Sequence, residues 1–392
     1  MNPLKSSRLP VFAGIVAVII ILHVIVLSIV INSSSGGKLP EEQLETPAAV
    51  QKAPSREEKQ NLPEQKKAEE KNPAEKERYR RKSGNPRFGR PLDYSGARRG
   101  AMPPQIIPGD SSTSGIIADM QTRKVLWEKN SRKAVPVASM SKMMTILLVM
   151  EHLEKSPALS LDTPVKISPA VLRLPSREGI VWLDPRETFP ISDLIKCAAV
   201  KSANDAALQL ALTVAGSEEK FVAMMNARAR AAGMTGTRFI NAHGLPDKKR
   251  NQSLSTVHDM VLLGECLLEY PVVMAYFKTP SAHIREGKKK TVIRNTNRLI
   301  YKNNADAEGM KTGYTRKAGF CLTFSAVRNG RRLMGCVTGF PTSRERDKYC
   351  KALLDWAFNG CPAKQISQPA PKKKAVRKSA VRKNRSASKR SR

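Results

Sequence analysis

The apolar residues of this chain fall in two places, a short N-terminal run and a long central block. Residues 11–31 are an uninterrupted run without a formal charge. At about 1.5 Å of rise per residue, a helix of this length spans roughly 31 Å, enough to cross the hydrocarbon core of a bilayer. The run is longer than the h-region of a cleaved signal peptide, and no small-residue cleavage site follows it. We therefore expect an uncleaved transmembrane signal-anchor.

The flanking charges predict how this anchor is oriented. Lys5 and Arg8 precede the apolar run, and positive residues favour the cytoplasmic side of a membrane. Residues 1–10 are then a cytoplasmic stub. The chain is expected to be a single-pass protein of the inner or plasma membrane, with the remainder in the periplasm or outside the cell.

The central block, residues 106–361, has the pattern of one folded domain. Strand patterns lie at both of its ends, around a polar turn at 121–124 and around Asn329–Gly330, a dipeptide typical of two-residue hairpins. Helical patterns occupy 139–155, 191–215, 218–232, 256–270 and 344–358. We therefore predict an α+β fold, with an antiparallel sheet built from both ends of the block and flanked by helices.

The charged residues outside this block predict two segments without a core. Residues 32–105 carry 16 basic and 11 acidic residues with almost no apolar periodicity, which indicates a disordered charged linker. Residues 362–392 carry 12 basic residues and no acidic ones, which indicates a disordered basic tail. Of the formal charge of +34, only +15 falls on residues 106–360.

The basic tail is consistent with more than one partner. Twelve positive charges would bind phosphates, but no nucleic-acid-binding motif accompanies them. The anchor also places the tail outside the cytoplasm, so no specific nucleic acid is expected. Anionic envelope polymers or lipid headgroups suit the tail, as does a solvated segment with no fixed partner.

The six cysteines do not predict a metal site. None forms a C-x-x-C pair, and none has a histidine at metal-ligand spacing. We expect neither a metal nor a nucleotide cofactor. A two-residue turn at Asn329–Gly330 would place Cys336 opposite Thr323. Most of the cysteines are expected to be small buried residues, and a Cys350–Cys361 disulfide is left open.

Candidate chemistry begins with Ser139 and Lys142, which form an S-x-x-K motif at the predicted start of a helix. Positions three apart share a helix face, so Lys142 should lie beside Ser139. A serine hydroxyl needs a nearby base to act as a nucleophile, and burial can lower a lysine pKa enough to supply one. Alone, the motif is more typical of a serine helix cap followed by an exposed lysine.

Two further motifs make this constellation specific. Ser202-Ala203-Asn204 lies between two apolar helical runs, and Lys311-Thr312-Gly313 leads into a predicted strand. Each alone would be an ordinary turn. In this order, S-x-x-K, S-x-N and K-T-G are the signature of penicillin-binding proteins and serine β-lactamases.

The chain resembles the low-molecular-mass penicillin-binding proteins that act as serine-type D-alanyl-D-alanine carboxypeptidases. The resemblance extends over residues 115–358, including segments 221–226, 242–245 and 339–346. It implies that Ser139 attacks the penultimate D-alanine carbonyl, that Lys142 takes the proton, and that Ser202 relays a proton to the leaving D-alanine. One departure is Ala203, where many relatives have glycine.

The resemblance also implies a substrate-binding set and an oxyanion hole. Lys311 would supply positive charge, and Thr312 and Arg346 would bind the terminal carboxylate. Asn204 would bind the peptide or orient Lys142, and Gly313 completes the third motif. The backbone N–H groups of Ser139 and Tyr314 would form the oxyanion hole, because a developing alkoxide needs preorganised donors.

The implied activity is hydrolysis of the terminal D-Ala-D-Ala bond of peptidoglycan stem peptides, with β-lactams as covalent inhibitors. Three alternatives stay open. A β-lactamase would deacylate fast, and a DD-endopeptidase would accept a cross-linked substrate on the same residues. The third is a non-catalytic, membrane-tethered protein that binds the wall or a polyanion.

Overall fold

The computed structural model describes residues 91–363, except 175–178, 286, 288–289 and 302–305. The predicted cytoplasmic stub, the transmembrane segment, most of the linker and nearly all of the basic tail lie outside these residues. Within the described ranges, no single helix has the length and apolar composition to cross a membrane. Two consecutive helices, Val257–Leu268 and Pro271–Lys278, are long and apolar enough only when they are taken together, and the angle between them is 114°.

A seven-stranded sheet forms the centre of the domain. Its strands are β1 (Arg98–Arg99), β2 (Ser114–Asp119), β3 (Val125–Lys129), β10 (Ala307–Gly309), β11 (Thr312–Thr315), β12 (Gly319–Arg328) and β13 (Arg331–Phe340). Their order is β1-β3-β2-β13-β12-β10, and β11 also pairs with β12. Strand β2 pairs with β13, which joins the two ends of the domain, as predicted. The sheet is antiparallel apart from the short β1–β3 pair.

The remaining strands pair in three small two-stranded sheets. They are β4 (Val135–Pro136) with β7 (Leu254–Ser255), β5 (Pro164–Lys166) with β6 (Thr188–Pro190), and β8 (Ser281–Ile284) with β9 (Thr291–Arg294).

The second predicted hairpin is confirmed in its register. Arg328 pairs with Arg331 across the two-residue loop, and Thr323 lies opposite Cys336. Asn329 and Gly330 have φ angles of 50° and 75°. Positive φ at both loop positions is the geometry that the twist of a tight hairpin favours.

Seven α-helices complete the described domain. They are α1 (Lys142–Lys155), α2 (Ile191–Lys196), α3 (Asn204–Ala215), α4 (Glu218–Ala231), α5 (Val257–Leu268), α6 (Pro271–Lys278) and α7 (Ser343–Phe358). The predicted helix over 191–215 is therefore interrupted. A π-helical turn at Cys197–Lys201 ends at Ser202, which has a left-handed φ of 63°. The backbone N–H of Asn204 then donates to Gly179 O at 2.6 Å, so a neighbouring loop replaces the helical hydrogen bond.

Two hydrophobic clusters hold the helices against the sheet. The larger one includes the buried side chains of α1, α3 and α5. The smaller one joins α7 to the sheet through Trp127, Phe340 and Tyr349. Helix α1 is almost wholly buried along its first nine residues, which places its N-terminus inside the domain.

The folded region begins before residue 106. Leu92 and Met102 are buried in the core, and Arg98–Arg99 pairs with Trp127 and Glu128. The last part of the predicted linker therefore packs on the edge of the sheet and belongs to the folded domain. The sequence did not indicate this, because two isolated apolar residues anchor the segment and give it no periodic apolar pattern.

All six cysteines are free thiols, and five of them are buried. The Cys350–Cys361 disulfide left open by the sequence is therefore absent from this structure. Burial raises the pKa of the Cys336 and Cys350 thiols, which makes them unreactive small core residues.

Candidate active site

Ser139 lies on a 3-10 turn, Ala138–Ser141, directly before helix α1. Ala138 has a positive φ of 47°, a conformation that L-residues other than glycine seldom adopt. A loop presses on this turn from one side, because a Cβ on Gly244 would lie 2.0 Å from Ala138 O. Ser139 is thus held on a strained turn that packing from a distant segment maintains.

The side chain of Lys142 is fully buried beside Ser139. Its Nζ lies 2.8 Å from Ser139 Oγ, 2.6 Å from Asn204 Oδ1 and 2.6 Å from the carbonyl oxygen of His243. Burial, and secondarily the charge of Lys311, hold the pKa of Lys142 well below its usual value. Lys142 Nζ donates in all three of these hydrogen bonds, so one buried amine connects Ser139 to Asn204 and to the main chain of His243.

The second motif is placed by the helix break between α2 and α3. Asn204 begins α3 and contacts Lys142 directly. Ser202 occupies the left-handed position two residues earlier. In the described part of the chain, no hydrogen bond joins the Ser202 hydroxyl to Lys142, whereas Asn204 makes one. The break therefore brings Asn204 into contact with Lys142.

The third motif starts on a second buried lysine. The Lys311 side chain is 0% exposed, and its Nζ donates to Thr312 O at 3.1 Å. Burial, assisted by the charge of Arg346, lowers the pKa of Lys311 to about 7. The hydroxyls of Thr312 and Thr296 lie 2.7 Å apart. Cationic and hydroxyl donors are therefore grouped at this end of the cleft.

Strand β11 passes close to the turn that carries Ser139. A Cβ on Gly313 would lie 2.7 Å from Val137 O, so only glycine allows this approach. The next residue, Tyr314, is 57% exposed and stacks on Phe320. The backbone of Gly313–Tyr314 thus faces the turn that carries Ser139.

Arg346 is buried in the first turn of α7. Its guanidinium donates to the Asp347 carboxylate and to Cys321 O. Its positive charge acts on Lys311, whose pKa it helps to lower.

Two contributors to the site lie outside the candidate residues that the three motifs predict. His243 acts through its main-chain carbonyl, which any residue carries, and its own imidazole is buried with its pKa lowered to about 3 by burial and by Lys142. The neutral ring accepts the Leu245 N–H. Thr296 lies on an irregular segment that no motif marks, and it supports Thr312.

No group of three His, Cys, Asp or Glu side chains in the described ranges is arranged to hold a metal ion. The described residues bring together a serine hydroxyl, a buried lysine whose pKa is lowered, and a second buried lysine next to Thr312.

Comparison with known proteins identifies the family of this chain. The family model for D-alanyl-D-alanine carboxypeptidase, peptidase family S11, matches residues 102–342. The chain is 35% identical over 247 residues to the D-alanyl-D-alanine carboxypeptidase DacF of Bacillus subtilis, which covers 63% of this chain and 62% of the relative. It is 32% identical over 235 residues to the D-alanyl-D-alanine endopeptidase of Escherichia coli, with coverage of 57% and 70%.

The fold is also that of solved penicillin-binding proteins. Penicillin-binding protein D2 from Listeria monocytogenes, in its cefotaxime-bound form, superimposes with a TM-score of 0.56 at 29% identity, covering 63% of this chain and 97% of that one. The chain spans 62% of the length of the DacF relative. On the extent of the family match, the chain belongs to the D-alanyl-D-alanine carboxypeptidase family of serine peptidases.

Proposed function

We propose that this protein hydrolyses the terminal D-Ala-D-Ala bond of peptidoglycan stem peptides through an acyl-enzyme on Ser139. One observation carries the proposal: the buried Lys142 amine lies 2.8 Å from Ser139 Oγ, with its N–H groups directed to Asn204 and His243. This arrangement supplies the base that a serine nucleophile requires.

The first half of the reaction forms the acyl-enzyme. Ser139 Oγ bonds to the carbonyl carbon of the penultimate D-alanine while its proton passes to Lys142 Nζ. The backbone N–H groups of Ser139 and Tyr314 stabilise the oxyanion, because preorganised donors cost no reorganisation during the reaction. The C–N bond then breaks, and the terminal D-alanine leaves with a proton relayed through Ser202.

The second half returns the enzyme to its starting state. Water attacks the acyl carbon and gives a proton to Lys142. The Ser139 C–O bond breaks, and Ser139 regains its proton. Two turnover products therefore form, free D-alanine and a shortened stem peptide.

The third motif suits the carboxylate end of this substrate. Protonated Lys311 and the Thr312 hydroxyl offer a cation and a donor to the terminal carboxylate. Arg346 adds positive charge behind them, since its own N–H groups are directed to Asp347 and Cys321 O.

The direct test is D-alanine release from a synthetic pentapeptide that ends in D-Ala-D-Ala. Wild type is expected to release one D-alanine per peptide, and Ser139→Ala none above background. Ser141→Ala is the matched control, because Ser141 lies two residues away with its hydroxyl directed to Ala138 O. Equal release by wild type and Ser139→Ala would refute the proposal.

DD-endopeptidase activity is the second candidate. It is favoured because the match extends over a larger share of the E. coli endopeptidase, 70% of its length, than of DacF, 62% of its length. Cleavage of a purified cross-linked muropeptide dimer, compared with D-alanine release from the pentapeptide, decides between the two activities.

We extend the proposal to inhibitors, location and partners. The cefotaxime-bound form of the Listeria relative supports β-lactam binding by this enzyme, and acylation of Ser139 would make that binding covalent. The charge-free run at 11–31 supports a single-pass anchor with the catalytic domain outside the cytoplasm. The 12 basic residues of 362–392 suit anionic envelope polymers or lipid headgroups.

A further inference from the structure

A concave apolar surface lies beside the second motif. It is a cavity of 430 Å³, within the size range of sites that bind small molecules. We call it the Trp182 groove, and its apolar lining is Val171, Leu172, Leu174, Ile180, Trp182 and Leu183. The buried Asp205, the neighbour of Asn204, also lines it.

The main chain of this groove is held from both sides. The Asp205 carboxylate accepts the N–H groups of Val181 at 3.0 Å and Leu183 at 3.1 Å. Arg285, from the segment after β8, donates to Val181 O at 3.1 Å and Trp182 O at 2.8 Å. Hydrogen bonds thus fix the backbone on both sides of Trp182, which makes the groove a preformed surface.

Trp182 itself is held in an unfavourable conformation. Its φ is 57°, in the left-handed region where a bulky side chain is a genuine outlier. Its side chain is nevertheless 62% exposed, next to Leu172 at 64%. Neither the backbone strain nor the exposed apolar area stabilises the fold. Strain retained by surrounding contacts is typical of functional sites.

The groove is close to the catalytic residues, because Asp205 lines it and Asp205 follows Asn204 in the chain. Gly179 O accepts the Asn204 N–H at 2.6 Å, and Asn204 contacts Lys142. Trp182 is only three residues from Gly179, a span of at most about 11 Å. The terminal carboxylate is assigned to Thr312, on β11, so the groove at Asn204 suits the opposite, acyl side of the scissile bond.

We propose that the Trp182 groove is a subsite for the long aliphatic side chain of a stem-peptide residue on the acyl side of the scissile bond. This inference rests on the proposed function. The apolar lining takes the methylene chain, and the Asp184–Arg186 ion pair at the rim takes its polar end. A membrane is a poorer occupant, because a bilayer needs a protruding surface and this one is concave.

The test compares two peptides on the full-length chain in detergent. Acetyl-norleucyl-D-Ala-D-Ala presents an aliphatic side chain, and acetyl-glycyl-D-Ala-D-Ala lacks it. Wild type is expected to prefer the norleucyl peptide about tenfold in kcat/KM. Trp182→Ala is expected to lose that preference while its kcat/KM for the glycyl peptide stays within twofold.

Further variants keep the result interpretable. Leu172→Ala removes the neighbouring wall without touching the strained residue, and it should reduce the same preference even if Trp182→Ala fails to fold. Val292→Ala is the control, because Val292 is 52% exposed on β9 and does not line the groove. It should keep the full preference.

The outcomes separate this inference from the proposed function. If neither peptide releases D-alanine, the proposed function fails. If both are cleaved but wild type shows no preference, or Trp182→Ala and Leu172→Ala both keep it, the subsite is overturned. Quenching of Trp182 emission by brominated lipid, together with no peptide preference, would assign the groove to the bilayer and also overturn it.

Discussion

Replacing Lys311 by methionine should stabilise the fold while it destroys activity. The pKa of Lys311 is lowered from 10.5 to about 7 because the side chain is buried, and each pH unit between the two values corresponds to about 1.4 kcal/mol. Holding the charged lysine in the folded state therefore costs up to about 5 kcal/mol. Methionine loses the hydrogen bond to Thr312 O, which leaves that carbonyl unsatisfied at a cost of about 1–3 kcal/mol.

The net gain is then about 2–4 kcal/mol in the free energy of unfolding at pH 6. Its pH dependence has a definite sign. Between pH 7 and 10.5 the unfolded chain holds a proton on Lys311 that the folded chain has released, so wild-type stability rises with pH. The advantage of Lys311→Met should shrink over that interval and be gone by pH 10.5.

Urea unfolding of the full-length chain in detergent, followed by tryptophan fluorescence at pH 6 and pH 10, measures this difference. Lys317→Met is the matched control, because Lys317 is exposed on the loop after β11. It should change stability by less than about 0.5 kcal/mol. A Lys311→Met protein that is no more stable than wild type at pH 6, or whose advantage does not fall with pH, would refute the reasoning.

Three further predictions concern the nucleophile. Lys142→Ala should slow penicillin acylation by about 10²–10⁴-fold, the usual contribution of a general base; a loss below tenfold would show that another group takes the proton. In wild type, the acylation rate should rise with pH in a step whose midpoint lies well below 10.5, because burial lowers the pKa of Lys142; a midpoint at 10.5 would contradict its role. Gly244→Ala should lose acylation at least tenfold, since its Cβ would meet Ala138 O, whereas Gly233→Ala, with a similar φ of 74° and open space, should acylate normally; equal rates in both variants would show that the contact is unimportant.

Local patterns in the sequence sufficed to predict much of the fold. The Asn329–Gly330 turn predicted its hairpin down to the Thr323–Cys336 pairing, because loop length and residue type determine the register of a tight hairpin. The spacing of Ser139 and Lys142 placed them together for a similar reason, since three residues nearly complete a helical turn.

Contacts between segments that are distant in the chain could not be predicted from the sequence. The helix break at Ser202 depends on Gly179 O accepting the Asn204 N–H, a partner 25 residues away in the chain. The support that Lys142 receives from His243 uses a main-chain oxygen, which no residue type marks. Burial of Arg346 likewise depends on its hydrogen bonds to Asp347 and to the backbone of β12, a strand that comes earlier in the chain.

The most direct test of the account is acylation of Ser139 itself. The full-length chain in detergent is incubated with a fluorescent penicillin, and the label is followed over time on a denaturing gel beside Ser139→Ala. We expect label on wild type only, persisting for minutes or longer. Label that vanishes within seconds would contradict a peptidase and indicate a β-lactamase, and a folded wild type that takes no label would contradict the acyl-serine mechanism.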